Sequence, residues 1–297
     1  MASTIVNSLP EYVATREDLI VKAALGAKTL DYIAIYPNVK FKTQLNALDS
    51  KVVFADGNSC GFNAQGSDTV SDRTLEVTPI KINKEWCPAD LRKSALNNEL
   101  LIAAGRETMP YEEKFVEANL NAIEKELDKA IWQGNSTLMD GFIQQIEDAS
   151  SVTTVKELSA GASAKDVIDG AYQELTADAL GHNPVIFVSQ TMFSQYVQAL
   201  NAECCANRTP YDIAAGEITY PNDSRVRIIP VYGLEGEEVA VAGPAEGFAY
   251  GTDVEGSEAV YDLWFDRSAD MFRLKVLFNA GTALVYPDEV VLVKVGE

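Results

Sequence analysis

The sequence has few of the residues from which active sites and metal sites are commonly built. Its 297 residues include a single histidine, His182, and four cysteines, at positions 60, 87, 204 and 205. No two cysteines form a CxxC pair, which argues against a zinc site, and a Ser–His–Asp site would have to use His182. We interpret the cysteines as free, mostly buried thiols, and we expect no metal, no cofactor and no enzymatic activity.

Basic residues are also scarce, and long apolar runs are absent. The chain has 24 Lys and Arg against 44 Asp and Glu, a net charge of -20. Because phosphate binding needs clustered cations, this balance argues against tight binding of nucleic acid to the general surface. No stretch approaches the roughly 18 unbroken apolar residues of a membrane span, and no signal peptide is evident at the start. We expect a folded protein of the cytosol.

Three motif-like stretches lack the residues that their chemistry needs. Residues 26–29 (GAKT) end like a phosphate loop but lack its first glycine and its Gly-Lys pair. Residues 56–67 begin like a calcium loop, yet Cys60 and Ser67 occupy positions that need oxygen ligands, the second a bidentate Glu. Four further acids are interpreted as an exposed acidic loop: Asp253, Glu255, Glu258 and Asp262.

The strongest pattern lies in residues 110–134, which we call the spine helix. Pro110 suits a first helical turn, and Gly134 suits the position just past the end. At about 1.5 Å per residue the helix would be roughly 35 Å long. This length favours a helix that acts as the structural spine of a domain over one that forms part of the wall of a pocket. Apolar residues recur at three- and four-residue steps, and the predicted core positions are Leu120, Ile123, Leu127 and Ile131.

Residues 36–93 read as strands and turns with too little core pattern to fold alone. We predict an extended hairpin that lies on a neighbouring subunit, with Pro79 at a bulge or in an edge strand. The stretch has eight basic and seven acidic residues, whereas residues 235–270 have ten acids and only Arg267. We expect its cations to meet acids of a neighbour, and the contact candidates are Lys40, Lys42, Lys51, Arg73, Lys81 and Lys84.

The remaining segments predict a mixed fold of helices and strands. Residues 1–35 are interpreted as an N-terminal arm with little core and one short helix. A capping box at 163–166 precedes a helix ending near Gly181, and the apolar strand PVIFVS and a further helix follow. Alternating apolar residues after position 270 predict antiparallel strands, with a turn at 279–281.

The order of these pieces resembles the major capsid proteins of tailed bacteriophages, which have the Hong Kong 97-type fold. Residues 120–135 (LNAIEKELDKAIWQGN) are similar to the end of that family's spine helix. Residues 166–202 look like the start of its axial domain, and residues 273–293 are similar to the closing strands of its peripheral domain.

The resemblance implies an α+β fold with arm, extended hairpin loop, spine helix, peripheral antiparallel sheet and α/β axial domain. The boundaries it implies are 1–35 for the arm, 36–82 for the hairpin loop, 83–150 with 240–297 for the peripheral domain, and 151–239 for the axial domain.

The function implied is a structural one. Copies of the chain would assemble in the bacterial cytoplasm into pentamers and hexamers of an icosahedral virion shell, enclosing double-stranded DNA without reading its sequence. The sequence has no long helical scaffolding segment before the arm, so the resemblance implies a separate scaffolding protein or none, with portal and decoration proteins as further partners and no membrane. Lys51 lies in a loop suited to covalent cross-linking, but no motif identifies its partner. The alternatives are an encapsulin-like bacterial nanocompartment shell and, more weakly, a soluble α+β enzyme.

Overall fold

The structure, a computed structural model, describes residues 9–14, 16, 18–54, 66–91, 93–95, 111–135, 137–202, 218–253 and 260–296. Within them lie, in chain order, α1 (Asp18–Leu25), β1 (Ala34–Tyr36), β2 (Lys42–Val52), β3 (Gly66–Glu76), β4 (Thr78–Trp86), α2 (Tyr111–Gln133), α3 (Phe142–Asp148), β5 (Thr154–Leu158), α4 (Ala164–Glu174), α5 (Ala177–Gly181), β6 (Pro184–Ser189), α6 (Gln190–Ala202), β7 (Ile218–Tyr220), β8 (Asp223–Val231), β9 (Val239–Pro244), β10 (Phe248–Asp253), β11 (Val260–Asp266), β12 (Met271–Leu284) and β13 (Val291–Val295). None of the described helices is both long enough and apolar enough to cross a lipid bilayer.

The spine helix is α2, and its predicted bounds are confirmed to within one residue at each end. It ends because Gly134 takes a φ of +78° while its N–H still donates to the carbonyl of Ala130 at 2.9 Å. Pro110 lies outside the described residues. With 23 residues, α2 is about twice as long as an average helix.

Sheet 1 is built around β12, the longest strand. The first half of β12 lies between β4 and β11, and its second half pairs with β10, all antiparallel. β1 adds to β10 in parallel. Residues 272, 274, 276 and 278 of β12 are buried, as the alternation predicts, and Pro79 lies in β4, where no described strand pairs with its other edge.

Sheet 2 has the order β5-β13-β9-β6-β8-β7 and separates two hydrophobic cores. Val185 and Phe187 of β6 face the main core with the spine helix. Ile186 and Val188 face a second core against α4 and α6. Both faces of β6 are therefore covered, which explains its unbroken apolar sequence.

In the α/β segment, N-cap residues in the sequence mark the positions at which the helices begin in the structure. Ser163 and Asp166 form the predicted capping box of α4, and the Ser189 hydroxyl accepts from the N–H of Met192 at the start of α6. The predicted single helix to Gly181 is instead two helices, because Thr176 caps a new start at α5.

The prediction of an N-terminal arm with little core is wrong for the described residues from position 9 onward. Leu9, Val13, Leu19 and Ala23 are buried in the same core as the spine helix. The i, i+4 spacing within each pair puts both side chains on one helical face. Alanine at positions 23 and 24 allows a close approach to α2.

One prediction about the C-terminal strands is wrong, and the pairing of the last strand bears on the proposed domain boundary. The chain does not turn at 279–281, because β12 continues through Gly281 to Leu284. β13, assigned above to the peripheral domain, pairs with β9 and β5 and so lies in sheet 2. An apolar run such as VLVKV predicts a buried strand, but it carries no information about which sheet receives it.

Candidate functional site

The hairpin formed by β2 and β3 is fixed to sheet 1 at its base. Leu45 and Leu75 are buried against Ala249 of β10 in a small hydrophobic core. β3 passes Gly281 of β12 so closely that a Cβ atom there would lie 1.9 Å from the carbonyl oxygen of Glu76. The glycine that the sequence suggested for a turn is therefore needed for this crossing.

The distal part of the same hairpin exposes large apolar side chains. Val52, Phe54 and Val70 are 75%, 96% and 60% exposed. Single exposed apolar residues are ordinary, but three on one narrow ribbon mark an interaction surface. Because a two-stranded hairpin is marginally stable by itself, we interpret this part as a surface for another molecule.

Two of the six predicted contact cations already have partners in their own chain. The Lys42 ammonium lies 2.7 Å from the carboxylate of Glu76, its cross-strand neighbour. The Lys84 ammonium donates to the Asn119 side-chain oxygen at 3.2 Å.

The other four cations differ in their surroundings. Lys40 and Lys81 are exposed, and Arg73 is half-buried at the hairpin base. The side chain of Lys51 lies outside the described residues. Lys40, Lys81 and Arg73 are thus the described cations best placed to meet a second molecule.

The acidic stretch at 235–270 is divided between the two sheets. Glu237 and Glu238 are exposed just before β9 of sheet 2, and Asp262 is exposed on β11 of sheet 1. Asp266 is used within the chain, since it lies 2.6 Å from the Arg273 guanidinium. The pKa of the Asp266 carboxyl lies below its usual range. Hydrogen bonds from Ser268 are the largest cause of this shift, and the positive charge of Arg273 adds to it.

The four predicted core positions of the spine helix are all buried. They belong to one core with Phe272, Leu274 and Val276 of β12. Glu124 lies on the same helix with its carboxylate over Gly26, where a Cβ atom would come within 2.5 Å of the Glu124 carboxylate oxygen. Burial raises the pKa of Glu124, and the positive charge of Lys22 partly opposes the shift.

A buried carboxylate on the spine helix joins three separate parts of the chain. Asp128 accepts hydrogen bonds from the backbone N–H of Thr29 at 3.2 Å and from the Thr29 hydroxyl. Its other oxygen accepts from the backbone N–H of Gly233 at 2.7 Å. Trp132 donates its indole N–H to the same Thr29 hydroxyl at 2.7 Å. The N-terminal segment, the spine helix and the turn before β9 therefore meet at Asp128.

An aromatic cluster next to this junction connects the two sheets. The Trp132 ring centroid lies 4.9 Å from that of Phe187 in sheet 2 and 6.0 Å from that of Phe248 in sheet 1. Phe142 of α3 completes the cluster at 5.4 Å. Such tilted and edge-to-face pairs stabilise beyond the area they bury. The spine helix thus fixes the two sheets relative to each other.

Residues considered for chemistry are not brought together. His182 is exposed at the end of α5, where its Nδ1 lies 3.3 Å from the Glu289 carboxylate. Across the described part of the chain, no group of three His, Cys, Asp or Glu side chains could hold a metal ion. Cys87 is free and exposed, so the expected burial does not hold for this one described cysteine. The other three cysteines lie outside the described residues. So does the calcium-like loop at 56–67, except for Gly66 and Ser67.

Sequence reasoning missed Asp128 and Gly233. The signal for Asp128 was an acid inside the apolar stripe of α2, next to Leu127 and one turn before Ile131 and Trp132. Gly233 has no such local signal, because a glycine required by close packing looks like any other turn glycine. A Cβ atom at Gly233 would lie 2.1 Å from the backbone oxygen of Asp128.

The chain is similar in structure to chains of several tailed phages. It matches a chain of the satellite phage P4 procapsid, a structure that includes the size determination (Sid) protein, with a TM-score of 0.62, 13% identity and coverage of 95% of this chain and 91% of that one. It matches a chain of Mycobacterium phage Adephagia with a TM-score of 0.56, 15% identity and coverage of 91% and 90%. A virus-like particle from Pyrococcus furiosus matches with a TM-score of 0.53, 9% identity and coverage of 96% and 100%.

At these identities the likeness shows the fold alone. The predicted α+β fold of the Hong Kong 97 type is confirmed. No family model matches the sequence, and no curated protein matches it.

Proposed function

We propose that this chain is the major capsid protein of a tailed bacteriophage. Copies assemble into the pentamers and hexamers of an icosahedral shell that encloses double-stranded DNA. The observation that carries the proposal is the likeness to the satellite phage P4 procapsid chain, which extends over 95% of this chain and 91% of that chain. A match over nearly the full length of both chains leaves little room for an added catalytic domain in the residues compared.

The hairpin supports a role in assembly. Its base is held by Leu45, Leu75 and the crossing at Gly281, whereas its distal side chains have no cover from the described residues. An arm fixed at one end and apolar at the other suits a subunit that is completed by its neighbours. We infer that Lys40, Lys81 and Arg73 contribute to these contacts more than Lys42 and Lys84, which have partners within the chain.

The charge of the chain supports enclosure of DNA without adhesion. At a net charge of -20, most of the surface repels phosphate, so packaged DNA can slide along the wall. We infer a non-enzymatic protein located in the virion and assembled in the host cytoplasm. The partners would be a scaffolding protein, a portal and decoration proteins.

For the two proposed domains, the strand pairing favours a revised boundary. Sheet 1 with the spine helix forms the peripheral domain. The axial domain then contains sheet 2 with α4, α5 and α6, including β9 and β13. In this division the chain enters the axial domain once and returns to it at β13.

Light scattering and electron microscopy of the purified protein test the proposal. We expect closed shells, formed by the chain alone or once the scaffolding protein is added, and containing DNA when recovered from infected cells. A small oligomer that forms no closed shell under either condition would contradict the proposal and favour the soluble α+β enzyme.

The second candidate is an encapsulin-like compartment shell, and the likeness to the Pyrococcus furiosus virus-like particle favours it. Its TM-score of 0.53 is lower than the 0.62 of the phage P4 chain. The contents of native particles separate the two candidates, because a compartment would hold protein cargo where a virion holds DNA.

A further inference from the structure

Arg73 has a buried donor that no described residue of its own chain pairs. It lies in β3 directly opposite Leu45 of β2, and it precedes Leu75 by two residues along the strand. Its residue is half-buried, and its Nε atom has no solvent access. Among the residues that the structure describes, none accepts a hydrogen bond from this nitrogen.

A buried, charged donor without a hydrogen-bond partner is uncommon in native protein structures. The guanidinium stays charged, has five N–H donors and accepts no hydrogen bond. Most buried polar atoms are paired, and a charged donor left without an acceptor is destabilising. Arg73 is the only described residue with a buried side-chain nitrogen or oxygen in this state.

We propose that on assembly the Arg73 side chain turns outward and its guanidinium binds a carboxylate of a second copy of this chain, so that assembly supplies the acceptor that the described residues lack. The inference rests on the proposed function and names one anchor of the hairpin contact. A planar guanidinium pairs with a carboxylate through two parallel hydrogen bonds, which fixes orientation as well as attraction. Each copy carries 44 acids, so a neighbour offers many such partners.

The surroundings of Arg73 favour a protein over a nucleic acid as the partner. The same hairpin exposes Phe54 and Val70, which gain nothing from contact with a phosphate backbone. Lys42 provides a contrast on the same ribbon, because its charge is already paired with Glu76 at 2.7 Å. Of the two hairpin cations whose side chains are described, Lys42 is used in its own cross-strand pair and Arg73 is left for a neighbour.

The inference predicts effects of opposite sign on subunit and shell. In the unassembled subunit, Arg73→Met removes an unpaired donor and keeps the aliphatic cover over Leu45. Its thermal unfolding temperature should stay the same or rise. In the shell the same change removes a pair. The concentration needed for half-assembly should then rise about tenfold, the size expected for one charge-assisted hydrogen bond.

The experiment measures assembly of nuclease-treated, DNA-free subunits by light scattering for the parent, Arg73→Met, Arg73→Lys and the control Lys42→Met. We expect a loss for Arg73→Met, partial retention for Arg73→Lys and a smaller loss for Lys42→Met. The parallel unfolding curves show whether each variant folds.

Three results would overturn the inference alone: equal assembly of Arg73→Met and parent, a lower unfolding temperature of the Arg73→Met subunit that accounts for its assembly defect, or a defect confined to DNA retention. The last would assign Arg73 to phosphate. A parent chain that forms no shell, either alone or with the scaffolding protein, would instead contradict the proposed function itself.

Discussion

The carboxylate of Asp128 in the spine helix accepts a 2.7 Å hydrogen bond from the backbone N–H of Gly233, 105 residues further along the chain. Gln133, one turn later, donates from its side-chain amide to the carbonyl of Gly233 at 2.9 Å. The spine helix thus satisfies both backbone groups of this residue. Because the turn at Gly233 leads into β9, these bonds connect the helix to sheet 2.

Removing the Asp128 carboxylate should destabilise the subunit. In Asp128→Ala three donors, the N–H and hydroxyl of Thr29 and the N–H of Gly233, lose their acceptor in a buried site. We expect a loss of about 2–4 kcal/mol in the free energy of unfolding. The control is Glu126→Ala on the exposed side of the same helix, which should stay within about 0.5 kcal/mol. Urea denaturation measures both, and equal stability of the two variants would contradict a structural role for Asp128.

Adding one methyl group at Gly233 should separate the helix from the turn. The Cβ atom of Gly233→Ala would lie 2.1 Å from the backbone oxygen of Asp128, which cannot move without bending the spine helix. Gly181→Ala is the matched control, since no atom lies within 4 Å of its Cβ position. We expect Gly233→Ala to lower the unfolding temperature by several degrees, as overpacking costs about 1–3 kcal/mol. Gly181→Ala should leave it nearly unchanged, and the same melting temperature for both would show that the turn adapts.

Glu124 should make the stability of the chain depend on pH. Burial raises its pKa above the ordinary value of 4.5, so the folded state binds this proton more tightly than the unfolded state. The unfavourable contribution of the charged form is therefore present above the folded pKa and is lost as the pH falls towards 4.5. Other carboxylates titrate in the same range, so the useful quantity is a difference between two proteins.

We expect Glu124→Gln to be more stable than the parent at pH 7 and to lose that advantage as the pH is lowered. Denaturation curves at several pH values between 4 and 7 measure this difference. Glu126→Gln, an exposed neighbour on the same helix, is the control. An advantage for Glu124→Gln that does not change with pH would show that the raised pKa is not its cause.

Truncating the apolar face of the spine helix should cost more than truncating an exposed leucine. Leu127 is buried in the main core, whereas Leu138 is 37% exposed in the link after α2. We expect Leu127→Ala to lose about 2–5 kcal/mol and Leu138→Ala much less. Calorimetry of both variants measures this, and similar losses would mean that the core at Leu127 closes around the missing atoms.

The parts of the fold that sequence predicted are those with local causes. The end of α2 follows from the glycine at position 134, and the start of α4 follows from Ser163 and Asp166. The strand at 184–189 is an apolar run of the right length for a strand buried on both faces. Each of these features is decided by residues within a few positions of one another.

The parts that sequence did not predict depend on contacts between distant residues. Gly281 looks like a turn glycine, and only the crossing of Glu76 explains it. Leu9 and Val13 look like scattered apolar residues in the sequence, and only the folded chain shows that they are buried in the main core. The sequence predicted which cations are candidates for contacts with a neighbour. It could not predict which of them already have a partner in their own chain, because a pair such as Lys42 with Glu76 depends on strand register.

Reversing the charge of Lys81 tests whether attraction between copies closes the shell. Lys81 is exposed on β4, and the described acids at 237, 238 and 262 are exposed on the same acidic chain. One exposed pair is worth only about 0–1 kcal/mol, but a shell repeats it in every subunit. We therefore expect Lys81→Glu with Lys40→Glu to reduce the yield of closed shells, as counted by electron microscopy. Replacing Glu237 and Glu238 by Lys in the same chain should partly restore that yield.

The control carries two reversals on the spine helix, Lys125→Glu and Lys129→Glu, which change the net charge equally. Because salt screens both the local attraction and the general repulsion, the comparison is made at one ionic strength. If the control loses as much yield as the Lys40 and Lys81 pair, net repulsion rather than a specific contact limits assembly. If neither loses yield, the hairpin is held by backbone pairing and apolar contacts such as those of Phe54.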